Sequence, residues 1–298
     1  MSEARIHDVR YRPYEGDVHG GSASAIASMA RWSALRALGA RRRWTAKVVP
    51  VGLALIALGP AVTALGIKAL LGDQLPESLS EIVPYAPYYQ LIGFAILAYA
   101  AIVIPETICP DRRSRVLDLY LSTALGPRDY VLGKVLASLV PLLLVTTVPL
   151  AVLYVGNVFF SADPVAYVGD HLREIPAILA GGLLIALVYT LLGLAIASLT
   201  SRRAFATVGF VLLLVVTSLA GGALREVAGL GPDTRLLNLQ NVPIWLAQDL
   251  FGAEENPIPE GPLAPVETPG TPALIAVNAV IIAASSLVLA LRYRRRSA

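Results

Sequence analysis

Six blocks of about twenty apolar residues, almost free of charge, dominate this chain. At roughly 1.5 Å per residue, a helix of about 20 residues crosses the ~30 Å of hydrocarbon in a bilayer. Backbone amides in hydrocarbon have no water to bond, so segments of this length must be helices that pair their own N–H and C=O groups. The blocks fall at Val48–Leu71, Tyr88–Ile108, Val131–Gly156, Ile175–Thr200, Ala204–Leu224 and Pro272–Leu291. Prolines stand inside the first (Pro50, Pro60) and the third (Pro141, Pro149) and predict kinks rather than breaks. Only 15% of residues are charged and 56% are apolar, against about a quarter charged in a soluble domain. The predicted fold class is an all-α polytopic membrane protein with six transmembrane helices.

Charge sets the expected orientation. Of 24 basic residues, 20 lie in the N-terminal segment, the second and fourth loops and the C-terminus. The alternate segments hold Lys68, Arg173, Arg225 and Arg235, together with 13 of the 21 acidic residues. Basic loops stay in the cytoplasm, and an even number of spans places both termini on one side, so both are expected to be cytoplasmic. Residues 1–47 then form a cytoplasmic segment with a basic membrane-surface helix, and 48–298 a six-helix membrane domain. The first 46 residues are polar and basic and lack the apolar core and cleavage site of a signal peptide. Attraction to anionic lipid accounts for Arg41–Arg43 without any partner. Arginine outnumbers lysine 21 to 3, a bias of GC-rich bacterial genomes. The fifth loop, about 225–271, is long and external. Its stretch "RLLNLQNVPIWLAQDLFG" (235–252) is too short to span and reads as an interfacial or re-entrant helix. The following "NPIPEGPLAPVETPGTP" has six prolines in 17 residues, an extended connector.

Between spans two and three lies a charged island, "ICPDRRSRVLDLYLSTALGPRDYVLGK" (108–134). Val116, Leu117, Tyr120, Leu121, Ala124 and Leu125 follow a helical stripe, with Arg113, Arg115, Asp118 and Ser122 largely off it. Gly126-Pro127 ends that helix. Such an element is either a passive surface helix, packed on lipid and span ends, or a contact that passes force from a cytoplasmic partner. Physics alone leaves both open.

Catalytic constellations are missing. "GPRDYVLGK" imitates a phosphate loop, but six residues separate Gly126 from Gly133 where four are needed, and Val135 follows Lys134 where Ser or Thr would hold magnesium. His7, His19 and His171 have no partner at metal-ligand spacing, and the single Cys109 forms no internal disulfide. The catalytic and metal site sets are therefore empty. Spans with almost no ionisable groups argue against proton or sodium coupling. Lys68 and Glu106 read as interface residues. Thr146, Thr147, Tyr189, Thr190, Thr217 and Asn278 are the few polar groups in the spans. Most should bond within or between helices; Thr146, Tyr189 and Asn278 are the candidate substrate-pathway residues. Gly181, Gly182 and Gly193 should permit close helix contact.

"DLYLSTALGPRDYVLGKVLASL" (118–139), with its Leu-rich helix, Ser-Thr, turn proline and Gly133-Lys134, resembles the permease subunit of bacterial type-2 ABC exporters. "IHDVRYRPYEG" (6–16) is similar to a segment preceding the first span in that family, and the six-span plan with a long fifth loop agrees. The chain departs from the pattern at Arg115-Val116, where the family often has Gly-Thr, and its Ala-Leu-Gly-Pro turn is longer. The resemblance implies that the island is a coupling helix seated in a separate ABC ATPase subunit, with Arg113, Arg115, Asp118, Tyr120, Arg128 and Asp129 as contacts. It implies segment 31–47 as a connecting helix, a second permease copy, and ATP and magnesium bound only by the partner. The expected partners are thus the ATPase, the second permease copy and the bilayer of a bacterial plasma membrane, with no nucleic acid and no cofactor in this chain. Cargo moving past apolar walls would be hydrophobic or amphipathic. The rival readings are an intramembrane lipid-modifying enzyme, whose catalytic cluster is missing, and a non-transporting membrane anchor or sensor.

Overall fold

The computed structural model describes residues 21–40, 45–71, 83–114, 116, 125–227, 231–252 and 269–294. In chain order, the helices are α1 (Ser22–Ala37), α2 (Thr45–Leu71), α3 (Tyr85–Leu91), α4 (Gly93–Arg113), α5 (Pro127–Phe160), α6 (Pro164–Asp170), α7 (Glu174–Leu199), α8 (Arg203–Glu226), α9 (Val242–Asp249) and α10 (Thr271–Arg294). A 3₁₀ turn, Pro232–Leu237, precedes α9. Six of these helices, α2, α4, α5, α7, α8 and α10, are long and apolar enough to cross a membrane. The chain is an all-helical, multi-pass membrane protein. Both α2 and α5 run unbroken through their internal prolines. Proline removes one ladder bond, and in hydrocarbon the remaining ladder still outweighs any unwound alternative.

The two most buried spans, α4 and α7, form the centre, while only 22–28% of the residues in α2, α8 and α10 are buried. Glycine makes the central contacts possible, because each lies where another helix leaves no room for a side chain. A Cβ built on Gly193 would lie 2.9 Å from Ile104 Cδ1 of α4, and one on Gly182 2.4 Å from Thr147 Oγ1 of α5. One on Gly181 would meet Ala247 of α9 and Tyr89 of α3 at 3.1 Å. The close contacts expected from these three glycines are present. Close approach matters here because packing, not hydrophobic burial, drives helix association in lipid.

The second span departs from expectation. In place of one helix from Tyr88, the chain forms α3, breaks at Ile92 and restarts as α4. Three tyrosines pin α3 from different sides. Tyr88 donates to the Ala57 carbonyl of α2 at 2.8 Å, and Tyr89 to the Ile178 carbonyl of α7 at 2.9 Å. Tyr85 is 2.9 Å from the Tyr167 hydroxyl and accepts from Asn157 Nδ2 at 2.8 Å. Lys68 donates to Asn157 Oδ1 at 3.1 Å, so this interface lysine belongs to the same network.

The segment 231–252 packs into the helical bundle. Val242, Ile244, Trp245, Leu246, Ala247 and Phe251 are all buried, whereas a helix lying on the surface would keep one face exposed. Its 3₁₀ turn packs on Gly221 of α8, and α9 lies among α3, α7 and α10. Tyr189, about 22 Å along α7 from Glu174 at roughly 1.5 Å per residue, donates to the Gln240 carbonyl at 2.7 Å. The proline-rich connector lies mostly outside the described residues.

The N-terminal helix also differs from expectation. It covers 22–37 rather than 31–47, and Gly39, with φ of 71°, turns the chain toward α2. Such a φ is costly for any residue with a Cβ. Arg41–Arg43 lie outside the described residues.

Candidate functional site

Three elements meet at the end of the bundle where α1 lies. On α4, Thr107 and Asp111 are one turn apart and share a face; on α5, Tyr130 and Lys134 do the same; on α1, Met29, Ser33 and Arg36 line one stripe. These faces close on Asp111. Its carboxylate accepts from Arg36 Nη2 at 2.8 Å, from Lys134 Nζ at 2.6 Å and from the Tyr130 hydroxyl at 3.3 Å. Lys134 also donates to Ser33 Oγ at 2.8 Å and lies over the Tyr130 ring. Arg36 reaches the Thr107 carbonyl at 3.2 Å.

The lysine and aspartate side chains are 0% and 1% exposed, while that of Arg36 is 33% exposed. An ion pair this buried holds only if its remaining donors and acceptors are matched, and Ser33, Tyr130 and Arg36 match them here. Beside it, a Cβ on Gly133 would lie 2.2 Å from Met29 Cε. The Gly133-Lys134 pair thus has two functions. The glycine lets α1 sit against α5, and the lysine ties both helices to α4.

This cluster closes the base of the island. Asp111 lies near the start of the island and Tyr130 and Lys134 near its end, so their bonds bring the two ends of its residues 112–129 together. The Val116 amide donates back to the Asp111 carbonyl at 3.1 Å, and Leu125 is buried where the chain returns. The Gly126 amide donates to Asp129 Oδ2 at 2.9 Å, which caps the start of α5. At the far side, Tyr130 packs on Tyr293 of α10 with ring centres 5.4 Å apart.

Of the expected partner contacts, Arg115, Asp118 and Tyr120 lie outside the described residues, as does most of the island helix. Arg113 and Arg128 are exposed and face different grooves. Arg113 lines one of about 620 Å³ with Glu106, Cys109, Arg202 and Arg203. Arg128 lines one of about 830 Å³ between α5 and α10. Glu106 pairs with Arg203 at 3.1 Å. Arg112 donates to the Ser198 carbonyl and, at 3.0 Å, to that of Thr200, capping the end of α7.

The three pathway candidates are scattered along the bundle and bonded to backbone. Thr146 donates to the Gly182 carbonyl at 3.0 Å, Tyr189 to Gln240, and Asn278 to the Leu274 carbonyl at 2.9 Å. No group of three or more His, Cys, Asp or Glu able to hold a metal is found among the described residues.

Sequence reasoning missed Asp111 and Arg36 as a site. The resemblance marked Lys134, but nothing local reveals that its partner is Asp111, or that Arg36 lies 75 positions from that same carboxylate. The available signal was a carboxylate at the end of one span and a lysine inside the start of the next.

No curated protein matches the chain. The profile of ABC-2 family transporter proteins matches residues 35–238, from the last turn of α1 through the first five spans to the 3₁₀ turn that follows α8. That match covers more than half of the 298 residues, and with the six spans it shows that the chain belongs to the ABC-2 family as a transporter permease membrane protein.

Proposed function

We propose that this permease is the membrane-spanning half of an ATP-driven exporter, whose island at 108–134 receives force from a separate ABC ATPase. The observation that carries this reading is the Asp111–Lys134–Arg36 cluster. A loop closed at its base by a buried ion pair cannot be pushed without moving α4, α5 and α1 together. A passive surface helix has no need of such a base. The α1 end is then cytoplasmic, in keeping with the basic residues that gather there. The family implies the ATPase partner, and ABC-2 permeases normally lack ATPase activity of their own. The broad exposed faces of α2 and α8 leave room for a second permease copy. The cargo that suits the apolar walls is hydrophobic or amphipathic.

Alternating access gives the test. Cysteines are placed at Ala204, in the groove beside Glu106 and Arg203, and at Leu224, near the other end of α8, in a Cys109→Ser background. When the ATPase is trapped with ATP and vanadate, maleimide labelling should fall at one position and rise at the other. No change at either, with the ATPase bound, would favour the non-transporting anchor.

A further inference from the structure

The groove between α5 and α10 has a two-part character. Its walls are Leu132 and Val135 of α5 and Leu289 and Ala290 of α10, and its mouth carries Arg128 and Arg294. Arg128 is the second residue of α5 and Arg294 the last of α10, so both charges stand at helix ends on the same side of the bundle. At roughly 1.5 Å per residue, the walls lie about 6–10 Å deeper. Asp129 also lines the mouth and accepts from the Gly126 amide while keeping its charge, so among the described residues the mouth carries two guanidiniums and one carboxylate. Its volume of about 830 Å³ falls within the ~300–1,000 Å³ typical of small-molecule sites.

We infer that this groove holds an anionic phospholipid, its acyl chain between α5 and α10 and its phosphate at Arg128 and Arg294. Charge complementarity selects that occupant. A zwitterionic lipid would fill the apolar wall equally well but brings no net charge to the two guanidiniums. A soluble anion would meet the guanidiniums but leave the wall bare. Basic pockets between spans on the cytoplasmic side recognise anionic head groups in this way. Tyr293, also on the groove, packs on Tyr130 beside the Asp111 cluster, so a lipid seated here touches the base of the island. This inference stands on the groove alone and does not require the transport reading.

The test is native mass spectrometry of the delipidated full chain, titrated with phosphatidylglycerol and phosphatidylcholine of identical acyl chains. Each basic residue near a surface contributes about 1 kcal/mol toward anionic lipid, and 1.4 kcal/mol is a factor of ten. With Asp129 offsetting one of the two guanidiniums, phosphatidylglycerol should therefore bind roughly 5-fold more tightly than phosphatidylcholine. Arg128→Gln/Arg294→Gln should abolish the preference, and Arg128→Lys/Arg294→Lys should keep most of it. Ala290→Trp, which fills the wall without touching charge, should weaken both lipids. Equal binding by the wild type, or a preference that survives the double glutamine variant, would overturn the inference. Displacement of phosphatidylglycerol by millimolar inorganic phosphate would also overturn it, and would make the mouth a free-anion site.

Discussion

Removing the carboxylate at the base of the island is the most informative single perturbation. Asp111→Asn keeps the shape of the side chain but removes the counter-charge of the Lys134 ammonium, which is 0% exposed. Taking one partner from a buried ion pair costs about 3–5 kcal/mol, because the other charge stays desolvated. Arg36 adds little to this loss, since a third of its side chain already meets solvent. Lys134→Met should cost less, about 1–3 kcal/mol, because Asp111 would still accept from Arg36 and Tyr130. The double variant Asp111→Asn/Lys134→Met should recover most of the larger loss, giving a coupling energy of about 2 kcal/mol or more. The assay is unfolding in detergent, with limited proteolysis between α1 and α2 to report release of α1. Equal and small losses from the two single variants, or simple additivity in the double, would refute the claim that the pair acts as a buried clamp.

Three further outcomes follow from the packing. Tyr189→Phe removes the donor to the Gln240 carbonyl and should lower stability by about 1–3 kcal/mol, read from unfolding in detergent, with faster proteolysis of segment 231–252. Gly193→Ala forces a methyl against Ile104 and should cost about 1–3 kcal/mol by overpacking; adding Ile104→Ala should restore part of that loss in the same assay. Arg203→Gln takes a 70% exposed arginine from Glu106, whose side chain is 8% exposed, so stability should fall by about 1–3 kcal/mol, less than at the enclosed Asp111 pair.

Much of this architecture is legible in the sequence because the bilayer leaves little choice. Long apolar blocks must be helices, and five of the six expected spans keep their positions with ends shifted by a few residues. Span two is the exception. Its break at Ile92 depends on where the hydroxyls of Tyr85, Tyr88 and Tyr89 find partners, and those partners lie 31 to 89 positions away. Gly181, Gly182 and Gly193 signalled close packing but could not say against which helix. The island showed its charge and period, yet its base did not show, because Asp111, Lys134 and Arg36 come together only through the tertiary fold. Arg112 stood beside the expected contacts in the sequence, but its bonds go to the end of α7. A cap on a distant helix leaves no local pattern to read.

The most direct test of the central claim is co-purification in detergent with the candidate ATPase. It compares the wild type, Arg115→Glu/Asp118→Arg in the island and Asp111→Asn/Lys134→Met at its base. The account predicts stoichiometric ATPase with the wild type, loss of it with the island variant, and retention with the base variant. Recovery of no ATPase by the wild type, or equal recovery by the island variant, would contradict it and leave the island a passive surface helix.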